Sequence, residues 1–276
     1  MQPSFYLDVV NILLQKRLLS LESRILVLCG GPRDRDVLSS WGFRNVVISN
    51  LDTRMTGERA SDAGLLADVS AEYAPYEWSQ QDAESLSYPD QSFDTCIVHE
   101  GLHHCRSPHR ALLEMYRVAR TSVLLFEPLD SFATRIGVRL GVGQEYECAA
   151  VYANGCESGG LRNGWLPNYV FRWTRREIEQ TLRSADPTGR QRFDYYFQMV
   201  LPTWQLSARR GWLWRLASKA IAPVASLIGT LAPTQVNNFA AFVRKPVCPG
   251  DLHPWLAADA LGKIALDRNW LARRFR

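Results

Sequence analysis

Short apolar runs and helical patterns alternate through the first half of the chain. Residues 25–29 form a continuous apolar run of strand length, and residues 45–50, 93–98 and 122–126 repeat the pattern. A further strand is expected at about 76–79. A run that is apolar at every position suits a parallel strand buried on both faces. Helical spacing of apolar residues lies before and between these runs, at 4–20, 34–41 and after Pro108. The pattern therefore predicts an α/β fold with a doubly wound, mostly parallel sheet.

This alternation lapses after Pro128. Residues 131–170 are rich in glycine and tyrosine and predict irregular structure, whereas Thr174 and Glu177 form a capping box that predicts a helix start. Residues 193–200 and 239–244 predict two late strands, and the stretch between them is too long for a hairpin loop. We expect a helical insertion at 203–236 and a basic amphipathic helix at 255–276.

Composition narrows the functional classes. The 276 residues have 46% hydrophobic side chains and a net charge of +4, which fits a globular protein and does not indicate a nucleic-acid partner. Six cysteines without a Cys-x-x-Cys pair, and no secretory signal, favour a reduced cytoplasmic location. Residues 204–232 contain tryptophans beside basic residues and a short apolar run. They suit a peripheral membrane contact, a lid helix over a lipid-like substrate, a homodimer contact or a packed helical subdomain.

One segment carries a family resemblance. Residues 80–98 place Asp82 and Glu84 before a Pro-Asp turn and a buried strand, and the sequence His-Glu-Gly-Leu-His-His follows at 99–104. This arrangement resembles the class I S-adenosylmethionine-dependent methyltransferases of the methyltransferase type 11 family. The resemblance implies a Rossmann-like seven-stranded sheet whose last two strands form an antiparallel pair at one edge. It implies methyl transfer to an oxygen, nitrogen or carbon of a small molecule such as a natural product, glycan or lipid-like compound.

The resemblance also divides the chain. We expect an N-terminal helix at 1–22, an S-adenosylmethionine-binding core at 23–130, a substrate-side cap with helical elements and edge strands at 131–245, and a basic tail at 246–276.

The turn after the first strand departs from the family pattern, which reads acid-x-Gly-x-Gly-x-Gly. The matching residues are Val27, Cys29, Gly31 and Arg33, so the opening acid is missing and only Gly31 keeps its place, next to Gly30. Asp34 and Asp36 either compensate for the lost acid or stabilise the first turn of the next helix.

The resemblance implies roles for residues after the next strands. Asn50 and Asp52 would hold the ribose hydroxyls, and Asp82 would accept from the adenine amine beside a donor at the Ala83 amide. With Cys29, Gly30 and Gly31, the residues His99 and Glu100 complete the expected cofactor site. His103 and His104 would face the acceptor, where a histidine can take a proton near neutral pH. Expected contacts to the substrate are Glu127, Tyr146, Tyr152 and Trp173, with Tyr169 nearby.

Three other interpretations remain. His99, Glu100 and His103 match the His-Glu-x-x-His zinc hydrolase pattern, but that chemistry needs a helix where a strand is predicted, so no metal is expected. A nicotinamide dehydrogenase would share the sheet, yet the Gly30-Gly31 turn lacks Gly-x-Gly-x-x-Gly spacing. The third is a cofactor-binding relative without methyl transfer activity, in a structural or partner-binding role, which the lost acid favours.

Overall fold

The fold is built on a seven-stranded sheet. The computed structural model describes residues 3–55, 62–200, 223, 227 and 229–275. The strands are β1 Ile25–Leu28, β2 Val46–Asn50, β3 Glu77–Gln80, β4 Phe93–His99, β5 Ala119–Pro128, β6 Arg192–Gln198 and β7 Asn238–Arg244. Their order in the sheet is β3-β2-β1-β4-β5-β7-β6, with β1 to β5 parallel and β7 antiparallel to both of its neighbours. The predicted doubly wound, mostly parallel seven-stranded sheet is confirmed.

Helices cover the two faces of this sheet. Between residues 3 and 200 the described α-helices are α1 Pro3–Gln15, α2 Pro32–Ser40, α3 Ala63–Glu72, α4 Pro108–Val118, α5 Phe132–Arg139, α6 Cys148–Ala153 and α7 Arg175–Ala185. Proline at the first position starts α4, and the Ser107 hydroxyl accepts a hydrogen bond from the Arg110 amide. The predicted capping box at α7 is present, because Thr174 and Glu177 each accept from the other's backbone amide.

The run of apolar residues in β1 explains how the core is divided. Leu26 and Leu28 pack in one hydrophobic cluster with residues of α4 and α7. Ile25 and Val27 point the other way, into a second cluster with residues of α1, α2 and α3. Alternate side chains of a strand lie on opposite faces, so a strand covered on both faces must be apolar at every position.

Several boundaries differ from expectation. The first helix ends at Gln15 rather than at residue 20. The prediction of irregular structure across 131–170 was wrong in part, since α5 and α6 lie there. Both helices are short and glycines lie between them, so the sequence shows little helical periodicity in this region. The tail is not one helix: it forms a hairpin, Leu256–Ala258 paired with Ile264–Leu266, before a last helix at Arg268–Arg274.

Most of the predicted insertion at 203–236, and with it most of the proposed membrane or dimer contact at 204–232, lies outside the described residues. The four-part division of the chain stays a prediction. Across the ranges 3–55, 62–200 and 229–275, every helix is too short or too polar to reach from one side of a bilayer to the other.

Candidate functional site

A cleft of about 390 Å³ opens where the first four parallel strands end. Its walls come from the segments after β1, β2, β3 and β4 on one side, and from residues of the 150–163 region on the other. Ligands of open α/β sheets bind at this carboxyl edge, and a volume of a few hundred cubic ångströms is typical of small-molecule sites. We call it the strand-end cleft.

The turn after β1 brings backbone to the cleft wall. Cys29 has φ of 51°, a left-handed conformation that usually favours glycine, and Cys29 and Gly30 line the cleft. A Cβ atom at Gly30 would stand 2.7 Å from Ile48 Cγ2 and 2.8 Å from Val27 Cγ1, so only glycine fits between these core side chains. Gly31 is not among the lining residues and donates its amide to Asp34 Oδ2 at 2.9 Å.

Asp34 stands behind the cleft and braces this turn from inside the core. It is buried, and burial raises the pKa of its carboxyl to about 6 despite the hydrogen bond from Gly31. It does not replace the missing acid at the cleft wall, so the helix-start interpretation describes its contacts.

After β2, two polar residues line the cleft: Asn50, which is neutral, and Asp52, which is charged. The Asn50 amide donates to the Gly30 carbonyl at 2.7 Å and to the Tyr73 hydroxyl at 2.8 Å, and its Oδ1 accepts from Trp78. Asn50 therefore connects the turn after β1 to Tyr73 at the end of α3 and to Trp78 in β3. Asp52 accepts from the Arg54 guanidinium at 2.7 Å. Burial would raise the pKa of Asp52, but the hydrogen bonds from Arg54 outweigh it and lower that pKa, so the carboxylate stays anionic.

Asp82 follows β3 and lies in the cleft wall. Its Oδ1 accepts the Glu84 amide at 2.9 Å, which closes an Asx turn and fixes the carboxylate. Its Oδ2 accepts from Arg162 Nη1 at 2.8 Å, from the opposite wall of the cleft. Ala83 also lines the cleft.

After β4 the chain turns sharply. Glu100 has φ of 53° and lines the cleft with Gly101, where a Cβ atom would stand only 2.5 Å from Cys29 Cβ. His99 points away from the cleft: its ring stacks on Tyr6 with centroids 4.9 Å apart. Burial lowers the pKa of His99 to about 4, so it stays neutral.

Glu127 at the end of β5 holds the segment that follows. Its Oε1 accepts the amides of Gly101 and Leu102 at 3.0 and 2.8 Å, and its Oε2 lies 2.7 Å from His103 Nδ1. Glu127 is completely buried, so these contacts account for a carboxylate inside the core. It orients a short 3₁₀ turn, Leu102–His104, rather than facing the cleft.

The two histidines of this turn converge on Glu147. Its Oε2 lies 3.3 Å from His103 Nε2 and 3.5 Å from His104 Nε2. Burial would lower the pKa of His103, but the carboxylates Glu127 and Glu147 outweigh it and raise that pKa to about 10. Burial and the neighbouring His103 lower the pKa of His104. His104 lines the cleft, whereas His103 lies behind it.

The family comparison agrees with this geometry. A family model described as "Methyltransferase domain" matches residues 27–126, which run from β1 through β5. Over residues 27–126 the chain is therefore similar to this methyltransferase family. The segments after β1, β2, β3 and β4 that build one side of the cleft all lie in this range.

Curated relatives of the chain are quinone-pathway enzymes. The ubiquinone/menaquinone biosynthesis C-methyltransferase UbiE of Xanthomonas campestris is 34% identical over 103 residues, covering 35% of this chain and 38% of that protein. The UbiE protein of Xanthomonas oryzae is 33% identical over the same coverage. The chain thus matches well under half the length of these relatives.

Solved structures give a looser likeness. The [4+2]-cyclase SpnF has a TM-score of 0.49 at 16% identity, covering 87% of this chain and 82% of that one. A possible histamine N-methyltransferase from Thermotoga maritima has a TM-score of 0.46 at 15% identity, with 84% and 86% covered. Neither value bears on the reaction or the substrate.

Not every residue expected at the site lines the strand-end cleft. The lining includes Cys29, Gly30, Asn50, Asp52, Asp82, Ala83, Glu100 and His104. It does not include Gly31, His99, His103, Glu127, Tyr146, Tyr152 or Trp173. Trp173 is fully buried and packs against Phe171, whereas Tyr146 and Tyr152 are exposed. The substrate roles of these residues stay predictions.

Other functional candidates gave little signal in the sequence. Tyr73, Cys105, Arg162 and Asn163 line the cleft, and Glu147 lies beside its histidines. For Arg162 and Asn163, the sequence offers one indication, the cluster of glycines at 155–164, which is typical of a loop whose backbone approaches other residues closely. A hydrogen bond that the Cys105 thiol donates to Cys29, together with burial, raises the pKa of Cys105, which leaves that thiol protonated.

Proposed function

We propose that this protein binds S-adenosylmethionine in the strand-end cleft and transfers its methyl group to a small-molecule acceptor. One observation carries the proposal. The turn after β1 and the carboxylates after β2, β3 and β4, namely Asp52, Asp82 and Glu100, all line the same cleft of about 390 Å³. The volume lies within the usual range for ligands of this size.

The donors and acceptors of this wall fit the three parts of the cofactor. Asp82 is the acceptor for the adenine amine, and the Ala83 amide is the donor for a ring nitrogen. Asp52 is a carboxylate able to accept from two hydroxyl groups at once, which suits the ribose. Glu100 and the backbone at Gly30 lie in the cleft wall where the amino-acid part would bind, with Glu100 as a carboxylate that its ammonium could approach. The bound cofactor would supply an activated methyl group.

The chain's own contribution is chiefly to orientation. Transfer requires the acceptor atom to lie in line with the methyl group, and fixing that geometry supplies much of the rate enhancement of such a reaction. His104 is the histidine on the cleft wall, so it is the one placed to accept a proton from the acceptor. His103, with Glu127 behind it, positions His104 rather than touching the acceptor.

The acceptor is proposed only by class. The name of the UbiE relatives places their reaction on a carbon in quinone biosynthesis. Their match covers only 35% of this chain, so we keep the broader proposal of a natural product, glycan or lipid-like acceptor. A peripheral membrane contact through 204–232 and a homodimer stay predictions.

A second function is favoured by the turn after β1. Val27 stands where the family pattern has an acid, and Cys29 holds a left-handed φ of 51° where the pattern has glycine. A protein that binds the cofactor without transferring its methyl group would tolerate both changes. Binding and turnover must therefore be measured separately.

Titration calorimetry with S-adenosylhomocysteine and S-adenosylmethionine tests the proposal. We expect binding in the micromolar range, no binding of NAD, and at least a tenfold loss in Asp82→Asn. Asp90→Asn is the matched control, since Asp90 is an exposed acid paired with Arg117 outside the cleft. Absence of adenosyl binding in the wild-type chain would defeat both functions. Tight binding without methylated product from a panel of quinol, glycan and lipid acceptors would favour the second.

A further inference from the structure

Three atoms that can accept hydrogen bonds lie close together beside the strand-end cleft: Nε2 of His103, Nε2 of His104 and Oε2 of Glu147. His103 Nδ1 is 2.7 Å from Glu127 Oε2, and His104 Nδ1 is 3.2 Å from the Gly160 carbonyl oxygen. Because a carboxylate and a carbonyl only accept, each Nδ1 must carry the proton. In the neutral rings both Nε2 atoms therefore present lone pairs, and both face Glu147 Oε2.

Lone pairs on three neighbouring atoms repel one another unless a positive charge lies between them. Either a proton sits on one imidazole, or a metal ion joins the two nitrogens and the carboxylate oxygen. We propose that His103, His104 and Glu147 form a binding site for a divalent transition-metal ion of the zinc type, adjoining the strand-end cleft.

The distances match the ion. Zinc bonds of about 2.1 Å in a tetrahedron separate neighbouring ligand atoms by about 3.4 Å. The two Nε2 atoms lie 3.3 and 3.5 Å from Glu147 Oε2, and the three ligand atoms lie within 4.8 Å of one another. Small rotations of the side chains, rather than a change of backbone, would complete the coordination.

The surroundings match as well. Histidines that bind metals almost always donate their other ring N–H to a carboxylate or a backbone carbonyl, which fixes the tautomer. Glu127 does this for His103 and Gly160 for His104. Asn168 donates to Glu147 Oε2 at 3.3 Å, and its buried Oδ1 has no hydrogen-bond partner among the described residues. A water on the ion could donate to that oxygen.

This site differs from the His-Glu-x-x-His pattern considered for the sequence. His99 stacks on Tyr6 and takes no part, and the carboxylate ligand comes from the region after β5 instead of from Glu100. Two histidines and one carboxylate leave a coordination position for an outside ligand, as catalytic zinc sites do. His104 lines the cleft, so that ligand would be an oxygen of a molecule bound there, and His104 would then hold the ion instead of a proton.

The test uses the full chain after treatment with a chelator. We expect calorimetry and elemental analysis to give one Zn²⁺ per chain with a dissociation constant of micromolar or lower, and Co²⁺ to give the absorption bands of a tetrahedral site. Mg²⁺ should not compete. His104→Gln and Glu147→Gln should each weaken Zn²⁺ binding at least tenfold, and Glu127→Gln, which only orients His103, by 10-fold to 100-fold.

His109→Gln is the matched control, because His109 pairs with Glu177 away from the cluster and should bind Zn²⁺ like the wild type. All six cysteines remain in every variant, so zinc held by thiols would persist in all of them and overturn the proposal. Absence of Zn²⁺ binding in the wild-type chain would also overturn it and would assign the positive charge to a proton. Circular dichroism of each variant separates lost ligands from lost folding.

The site stands independently of methyl transfer. Adenosyl binding measured on the same metal-free protein keeps the two apart: Zn²⁺ binding without S-adenosylhomocysteine binding would support the site and count against the proposed function, and the reverse result would do the opposite.

Discussion

Arg162 and Asp82 join the two walls of the strand-end cleft through a hydrogen-bonded ion pair, with Nη1 2.8 Å from Oδ2. Arg162 belongs to a 3₁₀ turn, Leu161–Asn163, in which it and Asn163 both have positive φ. The neighbouring Asn163 side chain donates to the Leu51 carbonyl at 3.0 Å. The turn thus contacts the segments after both β2 and β3, where the adenosine would lie in the proposed function.

Removing Arg162 should strengthen cofactor binding. Its guanidinium occupies one oxygen of Asp82, so the adenine amine must share or displace that bond. The pair is partly exposed, and such pairs contribute about 0–1 kcal/mol, so we expect Arg162→Ala to lower the dissociation constant of S-adenosylhomocysteine by up to about fivefold. Calorimetry measures this, with Arg135→Ala as a control, since Arg135 pairs with Asp130 outside the cleft. Weaker binding in Arg162→Ala would mean that Arg162 supports the cofactor instead.

Alanine substitutions at two cleft glycines, Gly30 and Gly101, should differ in effect from the same substitution at Gly31, which lies outside the cleft lining. A Cβ atom at Gly30 or Gly101 would stand 2.7 or 2.5 Å from core carbon atoms, whereas one at Gly31 would meet nothing within 4 Å. Overpacking of this kind costs about 1–3 kcal/mol, so Gly30→Ala and Gly101→Ala should lower the free energy of unfolding by that amount. Gly31→Ala, the control, should cost only about 0.5 kcal/mol as a changed N-cap. Urea denaturation measures all three, and equal losses would contradict this packing.

The fold could be predicted because its signals are local. Residues 25–28 are all apolar, which predicts a strand buried on both faces, and the capping box at Thr174 and Glu177 predicts the start of α7. The tail was misjudged for the same reason: its basic residues and spaced apolar positions fit a helix, but pairing between Leu256–Ala258 and Ile264–Leu266 overrides that local preference.

The cap of α7 allows a direct test of local stabilisation. The Thr174 hydroxyl accepts the Glu177 amide at 3.1 Å, which satisfies a backbone donor at the helix start. Thr174→Ala should reduce the free energy of unfolding by about 1 kcal/mol, while Thr174→Ser, which keeps the hydroxyl, should stay near the wild type. Thermal and urea unfolding of both variants provide the measurement. Equal destabilisation by serine would point to the lost methyl group rather than the cap.

The site was harder to predict, because its parts meet only through the tertiary fold. Asp82 and Asp52 follow strands at recognisable positions, so a family pattern finds them. Arg162 and Glu147 reach the cleft and its histidines from the region after β5, and nothing in their local sequence marks them. The substrate role of Glu127 stays a prediction, and nothing in its local sequence indicated the contacts that the structure gives it. Its carboxylate accepts two backbone amides and lies 2.7 Å from His103 Nδ1, and these partners are distant along the chain.

Asp34 should make stability depend on pH in a direction opposite to that of most carboxylates. Burial raises the pKa of this carboxyl from 3.8 to about 6, so between these values the folded state binds more protons than the unfolded state. The free energy of unfolding contributed by this group therefore falls as pH rises from about 4 to 6, by roughly 2–3 kcal/mol, and stays low at higher pH. Asp34→Asn has no carboxyl to ionise and retains an oxygen that can accept the Gly31 amide.

The stability of Asp34→Asn relative to the wild type should therefore increase between pH 4 and pH 7. Taking this difference removes the opposite contributions of carboxylates whose pKa arginines lower, such as Glu114 beside Arg117. Urea unfolding at several pH values measures it. Asp36→Asn provides the control, because Asp36 is an exposed neighbour on the same helix and its difference from the wild type should not change with pH in this way. A flat difference for Asp34→Asn as well would show that the buried carboxyl ionises as easily in the folded chain as in the unfolded one.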